Sequence, residues 1–196
     1  MKICCLLGSP RKDSNSAAIA GRFTETAASL GAKIETVVLN QLNYRGCQGC
    51  MSCKTNSDKC VLEDDLAGVL ESLKTADIVV MAMPVYCSDV PGQVKCFLDR
   101  TFSYLKSDFR TEANPSRIAL GKKLIFIITQ GAPAEEMFAD IPQRYTGFLK
   151  RSMGFGDTYL IRGVGVGAGG AVGVPDSYLQ KAEELARSLV KTQDPQ

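Results

Sequence analysis

The chain has 196 residues, enough to bury one substantial core, and its composition, 45% apolar and 22% charged, is that of an ordinary globular protein. Lys and Arg (23) nearly balance Asp and Glu (21), a net charge of +2, which excludes an electrostatic footprint for nucleic acid or an anionic membrane surface. Histidine is absent, which excludes His-based triads, His acid–base chemistry and mixed Cys/His metal sites, while eight cysteines leave a four-Cys site open.

The first residues, "MKICCLLGSP", lack the apolar length and small-residue cleavage site of a signal peptide. The longest apolar runs, "ADIVVMAMPV" and "LIFII", fall short of the ~20 residues of a membrane span. The expectation is a single cytoplasmic domain over 1–196 with neither a membrane nor a nucleic-acid partner.

Taken in chain order, "KICCLL" (2–7) reads as a strand and "NSAAIAGRFTETAASLG" (15–31) as a helix that buries Ala18, Ile19, Phe23, Ala27 and Leu30 and stops at Gly31. "KIETVVL" (33–39) is a second strand, followed by a cysteine-rich loop. "EDDLAGVLESLKTA" (63–76) is a helix with acids in its first turn, where they suit the dipole. "DIVVMAMP" (77–84) and "KKLIFIIT" (122–129) are unbroken apolar runs, as in strands covered on both faces. "GQVKCFLDRTFSYL" (92–105) lies between them as a helix whose Lys95, Asp99 and Arg100 read as surface charges. "EEMFADIPQRYTGFLKRSM" (135–153) is helical with Pro142 as a kink or interruption. A fifth strand, "DTYLIRGV" (157–164), and a closing helix, "PDSYLQKAEELARSLVK" (175–191), complete the chain.

This alternation predicts a flavodoxin-like three-layer αβα sandwich around a five-stranded parallel sheet of order 2-1-3-4-5. Ligands of such sheets sit beyond the carboxyl ends of the strands, at the switch point between strands 1 and 3. The functional loops should therefore follow strands 1, 3 and 4. After strand 1, "GSPRKDSNS" (8–16) offers hydroxyls, an amide, Arg11 and the free N–H groups of a helix start, which suits a phosphate; an ordinary capped turn is the plainer alternative. The Cys5–Arg11 spacing matches the C-x5-R of cysteine phosphatases, but Leu6 and Leu7 belong to the buried strand, so Cys4 and Cys5 read as core. After strand 3, "MPVYCSDVPGQVKCFLDR" (83–100) supplies a rigid loop with an aromatic, able to wall a flat ring. Its Cys96 reads as core.

These two loops, with "RGCQGCMSCKTNSDKCVLEDDL" between them, resemble the NADPH-dependent FMN reductase and iron–sulfur flavoprotein family over residues 1 to about 160. The resemblance implies FMN as cofactor and NAD(P)H as electron donor. It implies the FMN phosphate on Ser9, Arg11, Ser14, Asn15 and Ser16, and the isoalloxazine against Pro84, Val85, Tyr86, Cys87 and Ser88. Thr129, Gln130 and Gly131 of "TQGAP" would close the other side. A small-molecule electron acceptor or a ferredoxin-like carrier is implied as partner, and a homodimer or homotetramer as assembly.

Cys47, Cys50, Cys53 and Cys60 stand in the spacing C-x2-C-x2-C-x6-C. In the family that this chain resembles, such a motif holds a four-iron four-sulfur (4Fe-4S) cluster. Gly46 and Gly49 would permit the tight turns that wrapping requires. Zinc, reactive or structural thiols without metal, and a regulatory disulfide remain alternatives for the same four residues. A non-enzymatic alternative for the whole protein is a redox or metal sensor that uses the cysteine loop as a switch. Finally, "GVGVGAGG" contains GxGxxG at Gly165, Gly167 and Gly170, but only one helix follows it. No second strand remains to carry a ribose-binding acid, so it reads as a loop at the sheet end rather than a dinucleotide fingerprint.

Overall fold

A computed structural model of the chain describes residues 1–167 and 173–190. The strands are β1 (Lys2–Leu7), β2 (Lys33–Val38), β3 (Ile78–Pro84), β4 (Lys122–Thr129) and β5 (Phe155–Gly163). The helices are α1 (Asn15–Ser29), α2 (Ser52–Thr55), α3 (Asp65–Thr75), α4 (Gly92–Arg100), α5 (Ile141–Met153) and α6 (Asp176–Leu189).

All strand pairs are parallel and the order is β2-β1-β3-β4-β5, as the alternation of elements predicts. Successive side chains of a strand point to opposite faces, so each central run feeds two cores. Cys4, Leu6, Val79, Met81, Leu124 and Phe126 meet α3, α4 and α5 on one face. Ile3, Cys5, Val80, Ala82, Ile125 and Ile127 meet α1 and α6 on the other. Among the described residues no helix is long and apolar enough to cross a membrane.

Three elements depart from expectation. Pro142 neither kinks nor interrupts a helix: α5 begins at Ile141 and the proline occupies its first turn, where a missing N–H costs no intrahelical bond. The helix expected over 92–105 stops at Arg100 and continues as a 3₁₀ turn, Thr101–Tyr104, in which the Thr101 hydroxyl donates to Leu98 O at 2.7 Å and the Ser103 hydroxyl to Arg100 O at 3.0 Å. The short α2 inside the cysteine loop had no periodicity to announce it.

Arg100 is not a surface charge. Its side chain is fully buried, 0% exposed, and forms a bidentate pair with Asp64, Nη1 to Oδ2 at 2.7 Å and Nη2 to Oδ1 at 3.2 Å. The same guanidinium donates to Arg45 O at 2.9 Å and to Leu62 O at 3.3 Å, the two backbone segments that flank the cysteine loop. Asp64 in turn caps α3 by accepting from Leu66 N at 3.2 Å and accepts from Arg45 N at 3.2 Å. Lys95 and Asp99 do form the exposed i,i+4 pair on α4, at 2.6 Å.

Removing Asp64 would leave a buried guanidinium without its counter-charge, so Asp64→Ala is expected to destabilise the protein by ~3–5 kcal/mol in denaturant titrations. Burial by itself would raise the Asp64 carboxyl, but Arg100 and the N–H groups of Arg45 and Leu66 hold it below its ordinary value. A carboxyl depressed in the folded state stabilises above the unfolded pKa of ~3.9 and loses that contribution as the pH falls from there through the folded value. Asp64→Asn should flatten that part of the wild-type acid limb.

Candidate functional site

The sheet register assembles the first candidate site. Pro84, Thr129 and Gly163 are neighbours at the carboxyl edge, Val85 N donates to Thr129 O at 2.8 Å, and Gln130 N donates to Gly163 O at 2.8 Å. Gly8 leaves β1 alongside them, with its N–H on Ala82 O at 2.8 Å. A Cβ at Gly8 would lie 2.2 Å from Val94 Cγ2, so the close approach of this turn to α4 requires glycine.

The loop after Gly8 is built from hydroxyls turned inward. Ser9, Ser14 and Ser16 are all buried. Ser14 is the N-cap of α1 and accepts from Ala17 N at 3.2 Å, Ser9 Oγ accepts from Arg11 N at 3.2 Å, and the Ser14 and Ser16 hydroxyls stand 3.5 Å apart. A cavity of ≈130 Å³ opens here, lined by Ser9, Arg11, Ser14, Asn15, Ser16, Pro84, Val85, Tyr86, Thr129 and Gly131. The residues expected for a cofactor thus meet around one space, with three exceptions. The Gln130 side chain is buried and donates to Ala132 O and Ala134 O, both at 3.1 Å, bracing its own loop. Cys87 and Ser88 form the tip of a tight turn and do not line the cavity.

That turn is held from two sides. Tyr86 and Asp89 exchange backbone hydrogen bonds at 2.8 and 3.0 Å, and Cys87 and Ser88 both adopt left-handed backbone, φ 47° and 63°. The Asp89 carboxylate accepts from the Tyr145 hydroxyl at 2.8 Å and pairs with Arg144 at 3.1 Å, both from α5. Burial and the Asp89 contact push the Tyr145 hydroxyl up to about 12, so it stays protonated and able to donate.

The glycine-rich segment, read as a loop at the sheet end, contributes as well. Val166 and Gly167 complete the cavity wall, and Gly165 N and Val166 N bond Ala132 O and Gln130 O at 3.1 and 2.9 Å. Gly165 and Gly167 have positive φ, 69° and 81°. Gly170 of the GxGxxG match lies outside the described residues. Asn15 Oδ1 accepts from Gly173 N at 2.9 Å, which ties the start of α1 to the far end of the same segment.

The second candidate site is the cysteine loop. Cys47, Cys50, Cys53 and Cys60 all line one apolar cavity of ≈160 Å³, together with Met51, Val61, Leu62, Phe102, Ser103 and Arg100. Two left-handed residues, Gly49 at φ 64° and Met51 at φ 60°, curl the loop into α2. Gly46 serves differently from expectation. Its φ is ordinary, but a Cβ would stand 3.3 Å from Cys96 Sγ, so it allows the loop to lie on α4; Cys96 is half-buried beneath it rather than in the core. The Ser52 hydroxyl and N–H lower the exposed Cys50 thiol below its ordinary value.

Lys54 and Arg100 are the charged residues that sequence reasoning missed here. Lys54 Nζ donates to Phe102 O and Leu105 O, both at 2.7 Å, lies 4.2 Å from the centre of the Phe102 ring, and reaches Cys53 Sγ at 3.5 Å. Burial shifts its pKa downward, against the opposing effect of Cys53. Every cysteine is free, and among the described residues no three Cys, Asp or Glu side chains converge closely enough to hold a single metal ion. Cys4 and Cys5 are core residues, and burial pushes both thiols up to about 12, which removes a thiolate nucleophile from the C-x5-R spacing.

The two sites are joined by one residue. Gln93 donates from Nε2 to Gly8 O at 3.0 Å and accepts at its backbone carbonyl from the Tyr44 hydroxyl, at the entrance to the cysteine loop.

Comparison with known proteins gives the family and the fold. An iron-sulfur flavoprotein of Methanosarcina thermophila is 34% identical over 109 residues, 56% of this chain and 56% of that protein. An FMN-dependent NADH:quinone oxidoreductase of Rhizobium meliloti (strain 1021) is 36% identical over 106 residues, 52% of this chain and 50% of that one. The chain spans about half the length of the curated relatives it matches. Among solved structures, an NAD(P)H:quinone oxidoreductase from Methanothermobacter marburgensis superposes with a TM-score of 0.72 at 22% identity, covering 96% of each chain. An FMN-dependent NADH-azoreductase from Bacillus anthracis, in complex with FMN, gives 0.71 at 19% identity over 97% of this chain and 100% of its own. Such identities bear on the fold alone, which is flavodoxin-like. The sequence profile of the NADPH-dependent FMN reductase family matches residues 1–143, so the chain belongs to that family.

Proposed function

We propose that the chain is an FMN-dependent oxidoreductase supplied by NAD(P)H, with FMN at the carboxyl edge of the sheet and a 4Fe-4S cluster in the cysteine loop. The observation that carries the reading is the convergence of the loops after β1, β3 and β4 on one cavity whose floor is buried hydroxyl and whose wall is Pro84, Val85 and Tyr86. A cavity of ≈130 Å³ is smaller than the ~300–1,000 Å³ of a whole cofactor site, so it suits the phosphate end, with the ring against the open loop at Tyr86.

Ser9, Ser14 and Ser16 donate to the phosphate, and the first N–H groups of α1 add their positive end. Arg11 supplies charge, and Thr129 and Gly131 offer backbone groups opposite Tyr86. Cys87, Ser88 and Gln130 act indirectly by holding their loops. When bound, FMN accepts hydride or single electrons and a cluster stores one electron.

The cysteine site suits a cluster better than zinc. Four thiols on one apolar cavity match a group that offers four separate corners, whereas structural zinc more often takes two separated Cys-x2-Cys pairs. The eight free thiols suit a reducing cytoplasm. A quinone, free flavin or another small acceptor receives the electrons, or a ferredoxin-like carrier where the cluster relays them. The assembly is a homodimer or homotetramer of one-domain subunits.

Protein purified without oxygen should show flavin absorption bands over a broad brown background, with about four irons and matching sulfide per chain. Flavin without iron would remove the cluster from the reading, and iron without flavin would remove the oxidoreductase. Loss of one hydrogen bond to a charged group costs ~1.5–3 kcal/mol, so Ser16→Ala should weaken FMN binding by roughly tenfold or more in fluorescence titrations. Riboflavin, which lacks the phosphate, should bind the variant and the wild type alike.

A further inference from the structure

The cavity of the cysteine loop has an electrostatic design that the four thiols do not explain. Lys54 is a half-buried ammonium that donates to two backbone carbonyls and lies against an aromatic face, and its remaining reach is to Cys53 Sγ. None of the ion pairs among the described residues gives it a carboxylate. Arg117 reinforces the positive field, since its Nη1 donates to Ser103 O at 2.8 Å and to the Leu105 carbonyl that also holds Lys54.

On the Cys60 side, Arg100 spends both Nη groups on Asp64 and the backbone, but its Nε is buried without a hydrogen-bond partner in a residue that lines the cavity. An orphaned buried donor costs ~1–3 kcal/mol, which favours an acceptor arriving with the ligand.

We propose that Lys54 and Arg100 are positioning residues that direct N–H donors and positive charge onto the sulfurs of a cluster held by Cys47, Cys50, Cys53 and Cys60, and thereby raise its reduction potential. The inference rests on the cluster reading above. A cluster bound by four thiolates is anionic and becomes more so on reduction, so a nearby fixed cation stabilises the reduced form more than the oxidised one. Hydrogen bonds to the sulfurs act in the same direction. The cavity wall around Met51, Val61 and Phe102 is apolar, which lowers the local dielectric and strengthens either effect.

The test is a redox titration of the anaerobically purified, cluster-loaded protein, followed by electron paramagnetic resonance, with iron and sulfide assayed on each sample. Lys54→Met is expected to assemble the cluster and shift its oxidised-to-reduced ratio at fixed potential about tenfold toward oxidised, a midpoint ~59 mV more negative for one electron. Lys54→Arg, which keeps the charge, should restore most of that shift. Lys181→Met, the loss of an exposed charge on α6, should leave the midpoint unchanged. Arg100→Lys keeps a cation opposite Asp64 but lacks the Nε–H, and should also lower the midpoint.

An iron-replete Lys54→Met protein with the midpoint of Lys181→Met would overturn the proposal. Loss of iron from both Lys54→Met and Arg100→Lys, while the wild type retains it, would assign these residues to assembly rather than potential and overturn it equally. A wild-type protein that binds neither iron nor sulfide would fail at the cluster itself, and the metal assay separates that failure from the others.

Discussion

The buried pair between Arg100 and Asp64 sets the terms for the α3–α4 side of the molecule. A guanidinium withdrawn from water needs acceptors for its donors, and here the two Nη groups find three. Two are the backbone carbonyls of Arg45 and Leu62, on either side of the cysteine loop. The third is the carboxylate that caps α3. Arg100 itself stands on the last turn of α4. The loop between Arg45 and Leu62 has almost no regular structure of its own, so its ends must be fixed from outside. The ion pair does this with one side chain, and its position at the end of α4 makes the loop a passenger of the helix that begins at the other site.

That dependence links the two candidate sites mechanically. α4 starts just after the turn that presents Tyr86 and ends at the arginine that clamps the cysteine loop. Gln93, one residue into the helix, touches Gly8 of the hydroxyl-lined turn and the Tyr44 hydroxyl at the loop entrance. A rigid helix with a contact at each end keeps the two cavities at a fixed separation. The glycine at position 8 is part of the same arrangement, because any larger residue there would strike Val94 and push α4 away from the sheet.

The sheet, its order and both families of loops were legible because they depend on local signals. Apolar runs such as "KKLIFIIT" define strands, Ser14 announces a helix cap, and β-α alternation leaves few topologies. The misreadings arose where a side chain's role is decided across the fold. Arg100 follows Asp99 at the end of an amphipathic helix, and periodicity alone places it outside; its acceptors come from residues 45, 62 and 64, which no pattern within α4 can reveal. Lys54 is hidden for the same reason, its partners being carbonyls at 102 and 105. Pro142 was misjudged because the acidic turn before it resembles the start of a helix, whereas the proline itself marks the true start. For "GVGVGAGG", read as a loop at the sheet end, the contact with the loop after β4 requires knowledge that β5 lies next to β4.

Backbone strain marks both candidate sites. Among the described residues, the non-glycine positions in left-handed backbone are Met51, Cys87, Ser88 and Phe138. Such positions cost of order 1–3 kcal/mol each, and persist only where the surroundings over-determine them. Met51 lies between Cys50 and Cys53, and Cys87 and Ser88 follow the aromatic that faces the hydroxyl-lined cavity. The surroundings in each case are identifiable. Phe102 and Leu105 fix Lys54 at the end of the Met51 turn, and the Tyr86–Asp89 hydrogen bonds, with Tyr145 and Arg144 on the Asp89 carboxylate, fix the other. The strained positions thus stand beside the two candidate sites, each held by contacts from elsewhere in the protein.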